Sequence, residues 1–203
     1  MPRTQVARLA LFSWLAAAPL AHAADTRGGY MGGALGEFFY KESPEVDFAL
    51  EDDTTQYQLY GGYRISKVFG VEGGLTHTND IDSSFPINLQ TSQGTTVPGR
   101  LDISASYDIY EIKALGYLPF NLTSLFGGLG YQSASLNGDA DIAGIGTVGT
   151  LHNHFRGSMA VIGIQRDFRL DLKSISLRGG YTWYDFDKQI DAAGFTIGMI
   201  YRF

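Results

Sequence analysis

The last nine residues, Phe195-Thr-Ile-Gly-Met-Ile-Tyr-Arg-Phe203, constrain the fold more than any other stretch. In an extended strand, Phe195, Ile197, Met199, Tyr201 and Phe203 share one face, and Thr196, Gly198, Ile200 and Arg202 share the other. Five large apolar side chains in a row need a second protein layer or lipid to cover them. No helical pattern in the chain offers such a layer. A strand that crosses lipid and ends on an aromatic places that ring at the membrane–water boundary, which this segment fits.

The opposite end points to export. Met1-Pro-Arg-Thr-Gln-Val-Ala-Arg8 is basic, and Leu9–Leu20 is an apolar run too short to span a bilayer. Ala21-His22-Ala23 gives the small-x-small pattern of a secretory cleavage site, so residues 1–23 are expected to be a signal peptide and 24–203 the single remaining domain. All 21 Asp and Glu follow residue 23, but two of the 15 Lys and Arg precede it, leaving a net charge of −8 on the rest. That balance argues against a nucleic-acid partner. With no cysteine, an exported chain cannot rely on disulfides. The 26 glycines let neighbouring strands approach and curve, and the 13 Phe and 12 Tyr suit interfacial girdles.

Alternation of apolar and polar residues predicts eight strands, near 29–40, 54–65, 68–77, 101–118, 123–133, 154–168, 174–184 and 194–203. Their connections alternate between long and short, as in strands that run up and down through one layer with the long loops at one end. The long second (79–100) and third (134–153) loops, rich in Ser, Thr, Gln, Gly and Ala, are expected to be mobile. The direction of the charged residues then separates a membrane barrel from a soluble one. Glu72 alternates with Phe69, Val71 and Leu75, and Arg178 with Ile175, Leu177, Tyr181 and Trp183. If the polar faces point inward, Glu72 and Arg178 share a narrow lumen and can pair. The expected fold is therefore an all-β, eight-stranded antiparallel up-and-down transmembrane β-barrel. The phase of Ser158–Ile164, apolar on both faces, is left open.

Gly61-Gly-Tyr-Arg-Ile-Ser-Lys-Val-Phe-Gly-Val-Glu-Gly-Gly-Leu75 resembles the second hairpin of the family typified by the membrane domain of outer-membrane protein A. Lys113-Ala-Leu-Gly-Tyr-Leu-Pro119 is similar to the end of that family's fourth strand, and Leu177-Arg-Gly-Gly-Tyr-Thr-Trp183 to its seventh. The resemblance implies an outer-membrane location, with outer-membrane lipid and lipopolysaccharide as surroundings. It also implies that Phe195, Ile197, Met199, Tyr201 and Phe203 form a C-terminal signal to the barrel-assembly machinery. It further implies a lumen charge network at Glu72, Lys113, Gln165 and Arg178. An acid of the family's pattern falls on Gln165 here, so Lys113 is expected to share Glu72 with Arg178, or to use Glu111 if that side chain reaches.

Three other constellations carry chemistry in principle. His77, His152 and His154 fall at the outer rim, and an i, i+2 histidine pair on a strand shares a face, so His152 and His154 could join His77 or Asp80 as metal ligands. Ser158 shares the parity of His154, but four strand residues span roughly 13 Å, beyond a nucleophile–base hydrogen bond. Acids at 42, 45, 47, 51, 52, 53, 80, 82, 139, 141, 185, 187 and 191 gather at the long-loop end. They read as a solvated surface or, alternatively, as loops that bind divalent cations shared with outer-leaflet phosphates or face a cationic partner; none has the spacing of a dedicated calcium site. The expectation is a monomeric, non-enzymatic surface or structural barrel without metal or cofactor. A narrow ion-passing channel gated by the lumen charges is the alternative, and a lipid-modifying enzyme the third reading.

Overall fold

The computed structural model describes residues 27–42, 51–90, 94, 96–170, 173–187 and 190–203. The expected signal peptide and the acids at 45 and 47 lie outside them. The described elements are strands: β1 (Gly28–Glu42), β2 (Glu51–Arg64), β3 (Phe69–Thr78), β4 (Ile81–Gln90), β5 (Thr96–Phe120), β6 (Thr123–Ile142), β7 (Gly146–Leu170), β8 (Lys173–Asp187) and β9 (Ile190–Arg202). All pairings are antiparallel. β1 pairs with β9 and β3 pairs with β5, which closes β1, β2, β3, β5, β6, β7, β8 and β9 into an eight-stranded ring. Closure leaves no open edge in the wall, the condition for a sheet in lipid, where unpaired backbone groups find no water.

The outward face is apolar, as the period-2 pattern predicts. Leu59, Leu129, Ile112 and Ile162 stand exposed between two belts of rings. Tyr57, Tyr110, Tyr131 and Trp183 form the upper belt, and Tyr63, Phe69, Phe120, Phe168, Tyr201 and Phe203 the lower. Tyr110 and Phe120 are separated by roughly 30 Å of strand, enough for a tilted crossing of a band about 25 Å tall. Ile197, Met199, Tyr201 and Phe203 of the last strand are exposed on this outer face. The open phase of Ser158–Ile164 resolves with Met159 and Val161 inside and Ile162 outside. At the short-turn end, Asn121 closes the β5–β6 hairpin at φ 58°, a left-handed conformation that asparagine tolerates better than most residues.

Two expectations are corrected above the upper belt. The second and third long connections are not loops but a sheet that continues the barrel wall. β4 pairs with β5 from Ile81↔Ala105 to Gln90↔Thr96, and β6 pairs with β7 up to Ile142↔Gly146. The polar composition of these stretches concealed an alternation: Ile81, Phe85, Ile87 and Leu89 share one face of β4 opposite Leu101 and Ile103 of β5. The nine strands thus comprise eight in the wall and β4, which leans on β5 alone in the backbone ladder. The tip turn between β6 and β7 uses Gly144 and Gly146 at φ 83° and 99°, where a side chain would be strained.

Candidate functional site

The inward residues of six strands meet in mid-barrel. Glu72 of β3 lies directly across the ladder from Lys113 of β5, and its carboxylate sits 3.1 Å from the Lys113 ammonium. Its other oxygen accepts from Arg178 Nη1 at 2.5 Å and from the Tyr30 hydroxyl at 2.8 Å. Lys113 also donates to Glu111 Oε1 at 2.5 Å, an acid two residues earlier on the same face. Gln58 Nε2 donates to that same oxygen at 2.8 Å. Gln165, directly opposite Arg178 on β7, accepts from Arg178 Nη2 at 3.2 Å. All four residues expected in the lumen therefore meet, and Glu111 reaches Lys113.

Aromatic rings surround the central guanidinium. Arg178 Cζ lies 4.8 Å from the Phe126 ring centroid, 5.0 Å from Tyr60 and 5.7 Å from Tyr30, within cation–π range. Glycine makes room for Phe126: a Cβ at Gly163 would run into that ring. Two charges on Glu72 and Glu111 thus balance two on Lys113 and Arg178, all buried, which is the condition for keeping ions in a narrow lumen.

Below this layer lies a second one that sequence reading did not single out. Asp167 pairs with Arg202 at 3.1 Å and accepts from Ser176 at 2.7 Å and Gln165 at 2.9 Å. Arg64 lies 3.8 Å over the Tyr117 ring and donates to the Lys67 carbonyl at 2.8 Å. The signal was present, since Arg64, Asp167 and Arg202 all fall on inward positions of alternating strands.

Above the charge layer the lumen changes character, and the expected polar interior is corrected. Phe38, Tyr40, Tyr107, Ile109, Met159, Tyr184 and Phe186 form a buried apolar cluster. Phe38 packs 5.7 Å from both Tyr107 and Tyr184, and Tyr184 stacks on Phe186 at 5.6 Å. Alternation set these side chains inward correctly. Their chemistry differs because a wall of eight strands leaves a bore just wide enough for side chains, and rings fill it at the outer end.

On the outside, Ser158 Oγ donates to Asp185 at 3.1 Å, while His154 Nδ1 lies 2.9 Å from Ser135 Oγ. The serine and histidine considered as a nucleophile and base thus have separate partners. His77 Nδ1 bonds Asp108 at 2.7 Å. Among the described residues no group of three His, Cys, Asp or Glu gathers as a metal centre. No described helix is long and apolar enough to cross a membrane.

An up-and-down ring of strands, apolar outside and filled inside, defines an outer-membrane barrel. Residues 7–203 match the outer membrane protein beta-barrel domain family, and the chain belongs to it. Solved structures with the same fold include Ail, the attachment invasion locus protein of Yersinia pestis, crystallised with the heparin analogue sucrose octasulfate. It is 16% identical over 87% of this chain and 99% of its own, with a TM-score of 0.51. Neisserial surface protein A is 12% identical over 87% of this chain and 97% of its own, at 0.55. The N-terminal barrel domain of Pseudomonas aeruginosa OprF is 12% identical over 87% and 98%, at 0.50. No curated protein sequence matches closely. The location that the family implies is the bacterial outer membrane.

Proposed function

We propose that the protein is a non-enzymatic surface-interaction and structural barrel. Its lumen is closed, and its contacts with the exterior run through the β4–β7 sheet and the acidic loop end. It works as a monomer among outer-membrane lipid and lipopolysaccharide, and its last strand addresses the assembly machinery through Phe195, Ile197, Met199, Tyr201 and Phe203. The observation carrying this reading is the double filling of the lumen: a charge layer at Glu72, Lys113 and Arg178 beneath an aromatic layer at Phe38, Tyr107 and Tyr184. An ion path would have to part both. The alternative of a gated channel would need Lys113 to exchange between Glu72 and Glu111, and it is weakened because Lys113 engages both acids at once while Arg178 stays on Glu72.

The test is single-channel recording of the refolded protein in a planar bilayer, with folding checked by a heat-dependent gel shift. Silence in both the wild type and Glu72→Ala is the expected result. Discrete openings in the wild type that change in Glu72→Ala would replace this reading with the ion-passing channel.

A further inference from the structure

Just above the upper aromatic belt, the outward side chains of β3, β5, β6 and β7 form a hydrogen-bonded row. His77 lies across the ladder from Asp108, Asp108 from Ser135, and Ser135 from His154; Asn137 lies across from His152. Asn137 Nδ2 donates to Asp108 Oδ2 at 3.3 Å, diagonally across the sheet. Its amide oxygen therefore faces the other way, 2.7 Å from His152 Nδ1. Turning the amide over would set its oxygen against a carboxylate, so the orientation is fixed by charge.

This fixes the histidine as well. A carbonyl-type oxygen only accepts, so His152 Nδ1 carries the proton and, in the neutral ring, Nε2 carries the lone pair. His154 is held in the same way on its Nδ1 side by the Ser135 hydroxyl, which can take either role. The two rings stand 4.7 Å apart, edge to face, on the same side of one strand. Among the described residues, neither Nε2 has a hydrogen-bond partner.

Two imidazoles at i and i+2, each tethered at Nδ1 and one of them through an amide to a carboxylate, share the outer hydrogen bond that metal-ligating histidines make. The outer partner sets the tautomer and the aim of the ring and raises its basicity. Imidazole pairs favour borderline divalent ions such as zinc, copper and nickel over calcium and magnesium, which prefer oxygen. We propose that His152 and His154 form a two-histidine site for a divalent transition metal on the outer face of the β6–β7 hairpin. Asn137, Ser135 and Asp108 are its positioning residues. No third protein ligand stands within the described residues, so the remaining coordination positions open outward, to water or an external anion. His77, tied to Asp108 at the far end of the row, sits three strands from His154 and takes no part as a ligand.

The experiment is titration of the refolded, untagged chain in detergent with zinc ion, read by calorimetry and repeated with calcium and magnesium ions. Saturable uptake of one zinc ion, abolished in His152→Ala and in His154→Ala, is expected. Asn137→Ala, which leaves both ligands in place, should weaken binding by about ten- to a hundredfold because the ring loses its tether. A gel shift on heating checks that each variant is folded. Absence of zinc uptake, equal uptake of calcium, or unchanged binding in either histidine variant overturns the site. Full affinity in Asn137→Ala overturns its positioned character and leaves only adventitious surface histidines.

Discussion

The two halves of the lumen are built on the same strands with the same alternation, yet they are sealed by opposite means. In the lower half, Glu72, Lys113, Glu111, Arg178 and Gln165 converge from four strands, each side chain held by at least one directional bond or ion pair. In the upper half, Phe38, Tyr107, Tyr184 and Phe186 meet ring to ring, tilted at Phe38 and stacked at Phe186, with no charged group among them. A polar seal is exact and brittle because each buried charge relies on its partner. An aromatic seal is forgiving because dispersion and burial are non-directional. One wall can therefore carry both, provided the strands hold the geometry that the polar half requires.

The largest effect should come from breaking the lower seal on one side only. Glu72→Ala strands Lys113 and Arg178 with one acid between them and should cost about 3–5 kcal/mol. Urea unfolding in lipid vesicles, followed by the fluorescence of Trp183, reads the change; Trp183 is the only tryptophan after residue 23. Converting Glu72, Glu111, Lys113 and Arg178 together to methionine should cost far less than Glu72→Ala, since both acids and both cations of the layer leave together and no orphaned charge remains. If the quadruple variant is as damaged as the single one, the network is a source of net stability and the contrast fails. In the upper half, Phe38→Leu keeps an apolar side chain of similar reach and should cost only about 1 kcal/mol in the same assay. A loss equal to that of Glu72→Ala would show that the aromatic half is just as exacting.

The smallest effect belongs to the exposed sheet above both. Hydrogen bonds from Ser84 and Arg100, at 2.5 and 2.6 Å, hold the Asp102 carboxyl below its ordinary range. A group with a depressed pKa when folded contributes stability above its unfolded value and loses it as pH falls through the folded value. Acidification past the usual aspartate range should therefore lower the amide-exchange protection factors across β4–β5, taken relative to the intrinsic rate at each pH, with little change in the lumen. Protection factors that are flat with pH would mean that these contacts contribute nothing, as for many surface pairs.

The barrel was readable because lipid reverses an ordinary rule: with grease outside, charge must go in, so parity at Glu72 and Arg178 gave the lumen its members. Lys113 and Gln165 came from a family resemblance, and the partner that completes Lys113, Glu111, needed only the observation that i and i+2 share a face. The tyrosine and phenylalanine plug was hidden in plain sight, because alternation reports direction and is silent on whether an inward ring meets another ring. The β4–β5 sheet escaped for a different reason. Its polar face carries Ser84, Asn88 and Asp102, and half-buried strands outside lipid have weaker contrast than strands within it. The histidine pair was visible as a spacing, but the amide and hydroxyl that tether it come from β6, and cross-strand register is beyond reach of a local pattern.

The strands that leave the membrane are the same ones that line it. β5 runs unbroken from Thr96 to Phe120, and β6 and β7 turn only at Ala143–Ile145. In an antiparallel sheet the interstrand bonds lie perpendicular to the chains. A pull on the tip, directed along the strands, therefore loads many of those bonds in shear at once and cannot peel them one by one. An outward tug on this arm is met by the whole hydrogen-bonded wall, so the barrel is an anchor for traction as well as a closed cylinder.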